Sequence, residues 1–380
     1  MACEAASRRR HHALAVALPG QGHVIPLMRF CKKMAQQEGF TITFVHITGA
    51  YFTSEQRRQP PLNLHQHHDG KQRDGEDEGG MTLDIRRVQI AMPDPSQLAG
   101  AGAMECFFAA VDSISPQIEQ LLLQPYDPPI TCLISDLFIT GPTQRVADKF
   151  NLPRIAFYPS SQSLLLLANY IQEGALSLEE ILKALEARER LKDTIFKEGL
   201  PGLPTIKVRD LIEHITENSK QRFLWVFRPD LVKDAPFTTF PEELLSKTQG
   251  RGFATHWVPQ VKVLSHQSTG GFLTHCGWNS TLEAISHGVP MLCFPYFADQ
   301  FLNAKFIIEE WKVGLGFEES KESGLIAKEE IQRVIQRLFE TEEGEHLHSN
   351  AKAFRDACVQ SYLPKGEAFN NIQSIVNSLT

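Results

Sequence analysis

Residues 257–300 read WVPQVKVLSHQSTGGFLTHCGWNSTLEAISHGVPMLCFPYFADQ, and the fold is decided within them. Gly271 to Thr274 is a short apolar run with strand character, Cys276-Gly277 turns the chain, and a helix opens near Asn279-Ser280 with Glu283 one turn in. A second apolar run, Met291 to Phe294, follows that helix and ends in a Pro295-Tyr296 turn. Strand, helix and strand in this order argue a parallel sheet covered by helices. A helix whose N-terminus points out of a strand end presents free backbone N–H groups and the positive end of its dipole, which together suit an anion. The His275 imidazole, the Asn279 amide and the Ser280 hydroxyl stand ready to add side-chain donors there, and Glu283 to accept from sugar hydroxyls. Taken alone, Asn279 and Ser280 read as helix caps with Glu283 as their capping-box partner. More groups arrive at neighbouring strand ends, however. Trp257 follows the strand Gly252 to His256, and Asp299-Gln300 follow Met291 to Phe294. An indole face can stack a base, worth roughly 1–3 kcal/mol, and an Asp-Gln pair suits sugar hydroxyls.

The same alternation extends in both directions. Upstream, Ala13 to Leu18 reads as a fully buried strand, Pro19-Gly20-Gln21-Gly22 as a tight turn, Val24 to Gln37 as a helix and Phe40 to His46 as the second strand. Further strands are expected at Arg86 to Ala91, Thr131 to Ile134 and Arg154 to Phe157, with helices at Ala103 to Leu123, Thr143 to Phe150 and Leu178 to Leu191. The second half adds strands at Arg222 to Phe227 and Gly252 to His256 and a helical C-terminal third. Between Glu55 and Gly80 periodicity is lost. His65, His67, His68 and the run Asp74 to Glu78 sit in a Gly-rich polar setting that reads as a solvated loop rather than a metal site, because no cysteine pattern or rigid element supports it. Arg8 to His12 reads as a tail. No repeat of solenoid period is present.

Gly20-Gln-Gly22 after a first strand also raises a nicotinamide-cofactor enzyme. The third glycine position falls on Ile25, and the second strand runs into His46-Ile-Thr48 rather than an acidic ribose ligand, so that reading is set aside.

Composition narrows the partners. The 380 residues suffice for two α/β domains with sizeable cores. A net charge of −7 leaves no basic excess for phosphate backbones or anionic lipid surfaces, which argues against nucleic acid and membrane as partners. The seven cysteines (Cys3, Cys31, Cys106, Cys132, Cys276, Cys293 and Cys358) are odd in number and mostly lie in apolar runs, as reduced core cysteines do. The apolar run after Arg8 to Arg10 is too short for a secretory signal, and no stretch reaches the length of a membrane span. A cytoplasmic chain is expected.

The segment Trp257-Val258-Pro-Gln260, His275-Cys-Gly277-Trp278-Asn279-Ser280, Glu283, Gly288-Val-Pro290 and Asp299-Gln300 resembles, over all 44 residues and without a gap, the signature of plant UDP-glycosyltransferases acting on small lipophilic molecules. The resemblance implies a GT-B fold of two facing Rossmann-like domains with parallel sheets, with the acceptor held mainly by residues 1–211 and the UDP-sugar by residues 217–380. The C-terminal helix would pack back on the first domain. Trp257 would stack on uracil with Val258 and Gln260 beside the nucleoside. His275, Gly277, Trp278, Asn279 and Ser280 would surround the diphosphate, Glu283 the ribose, and Asp299 and Gln300 the sugar, with Gln300 favouring glucose. No metal or other cofactor is implied. The turn Pro19-Gly20-Gln21-Gly22-His23-Val24-Ile25-Pro26 is similar to the family's loop carrying its general base, so His23 would deprotonate the acceptor hydroxyl. Asp136, just after Cys132-Leu-Ile-Ser135, matches the carboxylate that orients this histidine. Imidazoles exchange protons near neutral pH, and base catalysis of this kind is worth on the order of 10²–10⁴ in rate. The plainer alternative is that His23 and Asp136 merely cap the helices next to them. The expected reaction is inverting transfer of glucose from UDP-glucose to a hydroxyl of a small hydrophobic acceptor such as a phenolic or flavonoid, by a monomer.

One departure from the family is visible. Leu200-Pro-Gly-Leu-Pro204 through Asp210-Leu211 is similar to the family's late first-domain segment, whereas Glu217-Asn-Ser-Lys-Gln-Arg-Phe-Leu-Trp225 is similar to the first helix end and second strand of the second domain. About 60–80 residues, on the order of two βα units, are missing between them near residues 212–216. The second domain is then expected to lack its first strand, leaving neighbouring edges unpaired. A truncated, catalytically inactive sugar-nucleotide-binding remnant is the second reading.

Overall fold

A computed structural model of the chain describes residues 11–37, 39–48, 83–93, 103–162, 165, 221–226, 250–295, 299–318 and 326–379. The polar loop with its three histidines, the helix expected at Leu178 to Leu191 and the segment 200–220, where two βα units are expected to be missing, lie outside them. The chain forms two compact units, residues 1–159 with 362–380, and residues 160–361.

The first unit is a five-stranded parallel sheet of β1 (His11–Val16), β2 (Phe40–Thr48), β3 (Ile85–Ala91), β4 (Cys132–Asp136) and β5 (Arg154–Phe157), in the order β3-β2-β1-β4-β5. All six residues of β1 are buried, as a central strand covered on both faces requires. Leu14 and Val16 face one core with Val45, Ile47 and Leu133. Helices α2 (Ala103–Asp112), α3 (Ser115–Leu122) and α4 (Thr140–Lys149) add Val111, Ile118 and Val146 to it. Ala13 and Ala15 face the other core, with Leu27, Cys31 and Met34 of α1 (Gln21–Ala35) and Ile372, Ile375 and Val376 of α10 (Glu367–Ser378). Gln373 also donates to Gln37 at 2.6 Å. Fully buried Leu14 stabilises this sandwich, and its truncation to Ala costs about 2–5 kcal/mol. The helix expected over Ala103 to Leu123 is two helices. Pro116 enters the first turn of α3, where its missing N–H is tolerated, and so marks a new start rather than a continuation.

Among its described residues the second unit holds two parallel sheets. One pairs β6 (Phe223–Val226) with β7 (Gly252–Thr255); the other has the order β10-β9-β8 from β8 (Phe272–Thr274), β9 (Met291–Cys293) and β10 (Gly314–Gly316). In a doubly wound sheet of order 3-2-1-4-5-6, removing the first strand leaves these two wings. Among the described residues β6 pairs only with β7, and β8 only with β9. Among the described residues the unit also holds helices α5 (Gln260–Leu264), α6 (Trp278–His287), α7 (Gln300–Lys305), a π turn (Phe306–Glu310), α8 (Lys328–Glu340) and α9 (Glu342–Tyr362). Met291 and Cys293 pack against Ala284, Ala304 and Ile307, while Leu292, between them, turns to Ile331, Val334 and Leu338 of α8. The sequence does not announce β10, because Gly-Leu-Gly carries little strand propensity. Packing explains the glycine at its start: a Cβ on Gly314 would lie 2.5 Å from the Met291 carbonyl oxygen and 2.6 Å from Ile307 Cγ2.

Candidate active site

Strand order reverses between β1 and β4, and ligand crevices open at the carboxyl ends of strands on either side of such a point. The turn after β1 begins with Gly20, whose φ of 148° favours glycine, and Gly20 supplies the N-cap of α1 through its carbonyl, which accepts from His23 and Val24 N–H at 3.0 and 2.9 Å. The His23 side chain is therefore not a cap. Its Nδ1 lies 2.7 Å from Oδ2 of Asp136, whose side chain is fully buried, while the imidazole keeps 25% of its exposure. An ionised carboxylate only accepts, so Nδ1 carries the proton and Nε2 is left as the basic nitrogen. Asp136 does act as a cap: its other oxygen, Oδ1, accepts from Phe138 N–H at 2.9 Å, at the start of the 3₁₀ turn Leu137–Ile139. The capping alternative thus holds for half of the carboxylate, and that half fixes the direction of the other.

Two supporting residues escape a motif search. Phe138 sets its ring edge-on to His23 at 5.4 Å between centroids and stacks on Tyr158 at 6.1 Å. Arg154 donates to Ser135 Oγ at 2.6 Å, Thr140 Oγ1 at 3.0 Å and Gln144 Oε1 at 2.8 Å, bracing the β4 end from which Asp136 projects. A cation opening an otherwise apolar strand was the available signal for Arg154.

In the second unit the described signature residues follow the carboxyl ends of β7, β8 and β9. Trp257 is 69% exposed, leaving its indole face open. Val258, half-buried, leads into α5, whose first residue Gln260 reaches α6. There its amide nitrogen donates to Ser280 Oγ at 3.1 Å and to Glu283 Oε2 at 2.8 Å. Glu283 is thus held by Gln260, not by a capping box. The N-cap of α6 is Gly277, with no side-chain cap bond, so Trp278, Asn279 and Ser280 form the first helical turn itself. Before it the chain turns through Cys276, at φ 64°, and a Cβ at Gly277 would overlap the His275 ring. His275 lies at the surface of this turn; loss of part of its hydration lowers its pKa, and the Asp299 carboxylate acts in the opposite sense. Trp278 packs its ring 6.1 Å from Trp311, which also meets Phe306 and Phe354. Asp299 immediately precedes α7, Gln300 is buried at its start, and Asn303 one turn on donates to Asp299 Oδ2. Among the described residues no group of three or more His, Cys, Asp or Glu side chains is arranged to hold a metal ion.

A family model described as UDP-glucoronosyl and UDP-glucosyl transferase matches residues 204–338. The chain is 35% identical over 204 residues to UDP-glycosyltransferase 76E11 of Arabidopsis thaliana, covering 53% of this chain and 44% of that one. It is 36% identical over 214 residues to UDP glycosyltransferase 9 of Catharanthus roseus, covering 56% and 43%. These matches span less than half the length of either relative. In three dimensions it is similar to UGT2 of Phytolacca americana, solved in complex with UDP-2fluoro-glucose and pterostilbene, with a TM-score of 0.73, 22% identity and coverage of 97% of this chain and 99% of that one. That likeness carries the fold, which is GT-B. With the signature residues clustered at the strand ends of the second unit, these matches make residues 204–338 similar to the UDP-glucoronosyl and UDP-glucosyl transferase family.

Proposed function

We propose that the chain transfers glucose from UDP-glucose to a hydroxyl of a small lipophilic acceptor, a phenolic or flavonoid, with inversion at the anomeric carbon. The observation that carries the reading is the His23–Asp136 pair at 2.7 Å, with the carboxylate buried and itself oriented by Phe138 N–H. Nε2 of His23 takes the acceptor proton as the acceptor oxygen attacks C1, and Asp136 stabilises the imidazolium that forms. The C1–O bond to UDP breaks in the same displacement, and UDP leaves with the electron pair.

In the second unit, Trp257 stacks on uracil, flanked by Val258 and Gln260, and Glu283 accepts from the ribose. His275, Gly277, Trp278, Asn279, Ser280 and the N-terminus of α6 receive the diphosphate without a metal ion or other cofactor. Asp299 and Gln300 hold the hexose, Gln300 favouring glucose. The ligands named for the Phytolacca americana structure, a UDP-fluoroglucose and pterostilbene, are of the classes proposed here. The reading takes the chain as a cytoplasmic monomer; the buried cysteines Cys31, Cys132, Cys276 and Cys293, none of them in a disulfide among the described residues, suit a reducing compartment.

Among the described residues of the second unit the strands fall in two separate sheets, which favours a second reading, a truncated sugar-nucleotide-binding remnant without turnover. Calorimetric titration with UDP-glucose, followed by mass-spectrometric search for glucosides across a panel of phenolic acceptors, separates the two. Binding with glucoside formation supports the transferase, binding without any product supports the remnant, and no binding by a cooperatively folding chain rejects both.

A further inference from the structure

The signature ends at Gln300, but the structure continues the site by one turn of α7 to Asn303, a fully buried polar side chain. Its amide nitrogen donates to the Cys276 carbonyl at 3.0 Å and to Asp299 Oδ2 at 3.0 Å. An amide nitrogen has two N–H bonds, and here each meets one acceptor. Rotating the amide would set its oxygen against two other oxygens, so the partners fix which end faces them. Oδ1 pays for this arrangement: it is buried without a partner among the described residues. An unpaired buried carbonyl is unfavourable, so packing alone does not account for an asparagine at this position.

The two acceptors belong to different parts of the donor site. Cys276 is the left-handed residue of the turn between β8 and α6, next to Gly277 and His275. Asp299 makes no cap bond to its own helix, so its carboxylate is directed by Asn303 instead. We propose that Asn303 is a positioning residue that ties the hexose-facing carboxylate of Asp299 to the diphosphate-facing turn at Cys276, so that sugar and diphosphate are bound as one unit. This rests on the donor-site reading above. Leucine would fill the space without joining the two parts. Aspartate, the same shape, would turn oxygens toward both acceptors.

The test is calorimetric affinity for UDP and for UDP-glucose in the wild type, Asn303→Ala, Asn303→Asp, Asn303→Ser, Asp299→Asn and the double variant Asn303→Ala with Asp299→Asn, with thermal unfolding of each. The expected result is that the preference for UDP-glucose over UDP falls roughly five- to tenfold in the Ala and Asp variants. It should fall less in Asn303→Ser, which keeps one donor, and no further in the double variant than in the worse single one. Folded variants with an unchanged preference, or losses that multiply in the double variant, would overturn the inference alone. So would a set of variants that all fail to fold, since Asn303 would then be a structural residue. Wild-type protein that binds no UDP-glucose would remove the donor-site reading, and this inference with it.

Discussion

Asp136 divides its carboxylate between two tasks: Oδ1 accepts from the Phe138 backbone and Oδ2 holds Nδ1 of His23 at 2.7 Å. Because the first bond fixes the plane of the carboxylate, the second fixes the tautomer of the imidazole and the direction of Nε2. The His23 imidazole is thus oriented through a carboxylate that the backbone itself holds in place.

Asp136→Asn tests the orienting role. The amide oxygen can still accept from Phe138, but its NH₂ then faces Nδ1, which must become the acceptor and move the ring proton to Nε2. The rate of UDP release should fall by about 10² or more with little change in unfolding temperature. A rate within threefold of wild type would show that the tautomer does not matter.

Trp257 offers a cleaner test of the donor site, because a side chain 69% exposed contributes little to the core. Trp257→Ala should weaken UDP binding roughly 5- to 150-fold, the stacking range, while leaving urea unfolding unchanged. Equal UDP affinity in calorimetry would remove the stacking role.

Gln260 links Ser280 and Glu283 through one amide nitrogen, so its effect on the nucleoside should pass through Glu283. In a double-mutant cycle on UDP affinity, Gln260→Ala and Glu283→Ala are expected to be non-additive by about 0.5–3 kcal/mol. Strict additivity would mean that the two act independently.

Acid should destabilise the first unit through His12. This fully buried imidazole lies 2.7 Å from the Pro128 carbonyl through Nδ1 and 2.8 Å from Thr43 Oγ1 through Nε2. Burial lowers its pKa below 6.5, opposed by the Pro128 hydrogen bond and assisted by the Arg86 charge. The unfolded chain therefore takes up the proton first as pH falls. Stability should hold above pH 6.5 and decline below it. Half-exposed His46, lowered by burial and by Arg87, acts in the same sense. Urea midpoints from pH 8 to pH 5 should fall less steeply in His12→Gln; parallel curves would assign the acid sensitivity elsewhere.

Much of this arrangement is legible in the sequence because β1, β2 and β4 are short, largely buried runs with turns at fixed places. Arg154 to Phe157 is found as expected, and Cys132–Asp136 lies within two residues of its expected bounds. The features that escaped were set by tertiary packing. Gly314–Gly316 is a strand through its pairing with Met291–Cys293, and the close approach of Met291 and Ile307 there favours glycine at 314. Asn279 and Ser280 look like caps in one dimension, yet Gly277 takes the cap position and Gln260 reaches Ser280 from 20 residues away. Asn303 lies beyond the motif, and only the fold shows that its amide spans Cys276 and Asp299.

The central claim is tested most directly by the initial rate of UDP release with saturating UDP-glucose and a phenolic acceptor that the wild type glucosylates, for wild type and His23→Ala. The variant should bind UDP as wild type does and turn over on the order of 10²–10⁴ times more slowly. Turnover within a factor of two would contradict it, because the base would then lie elsewhere.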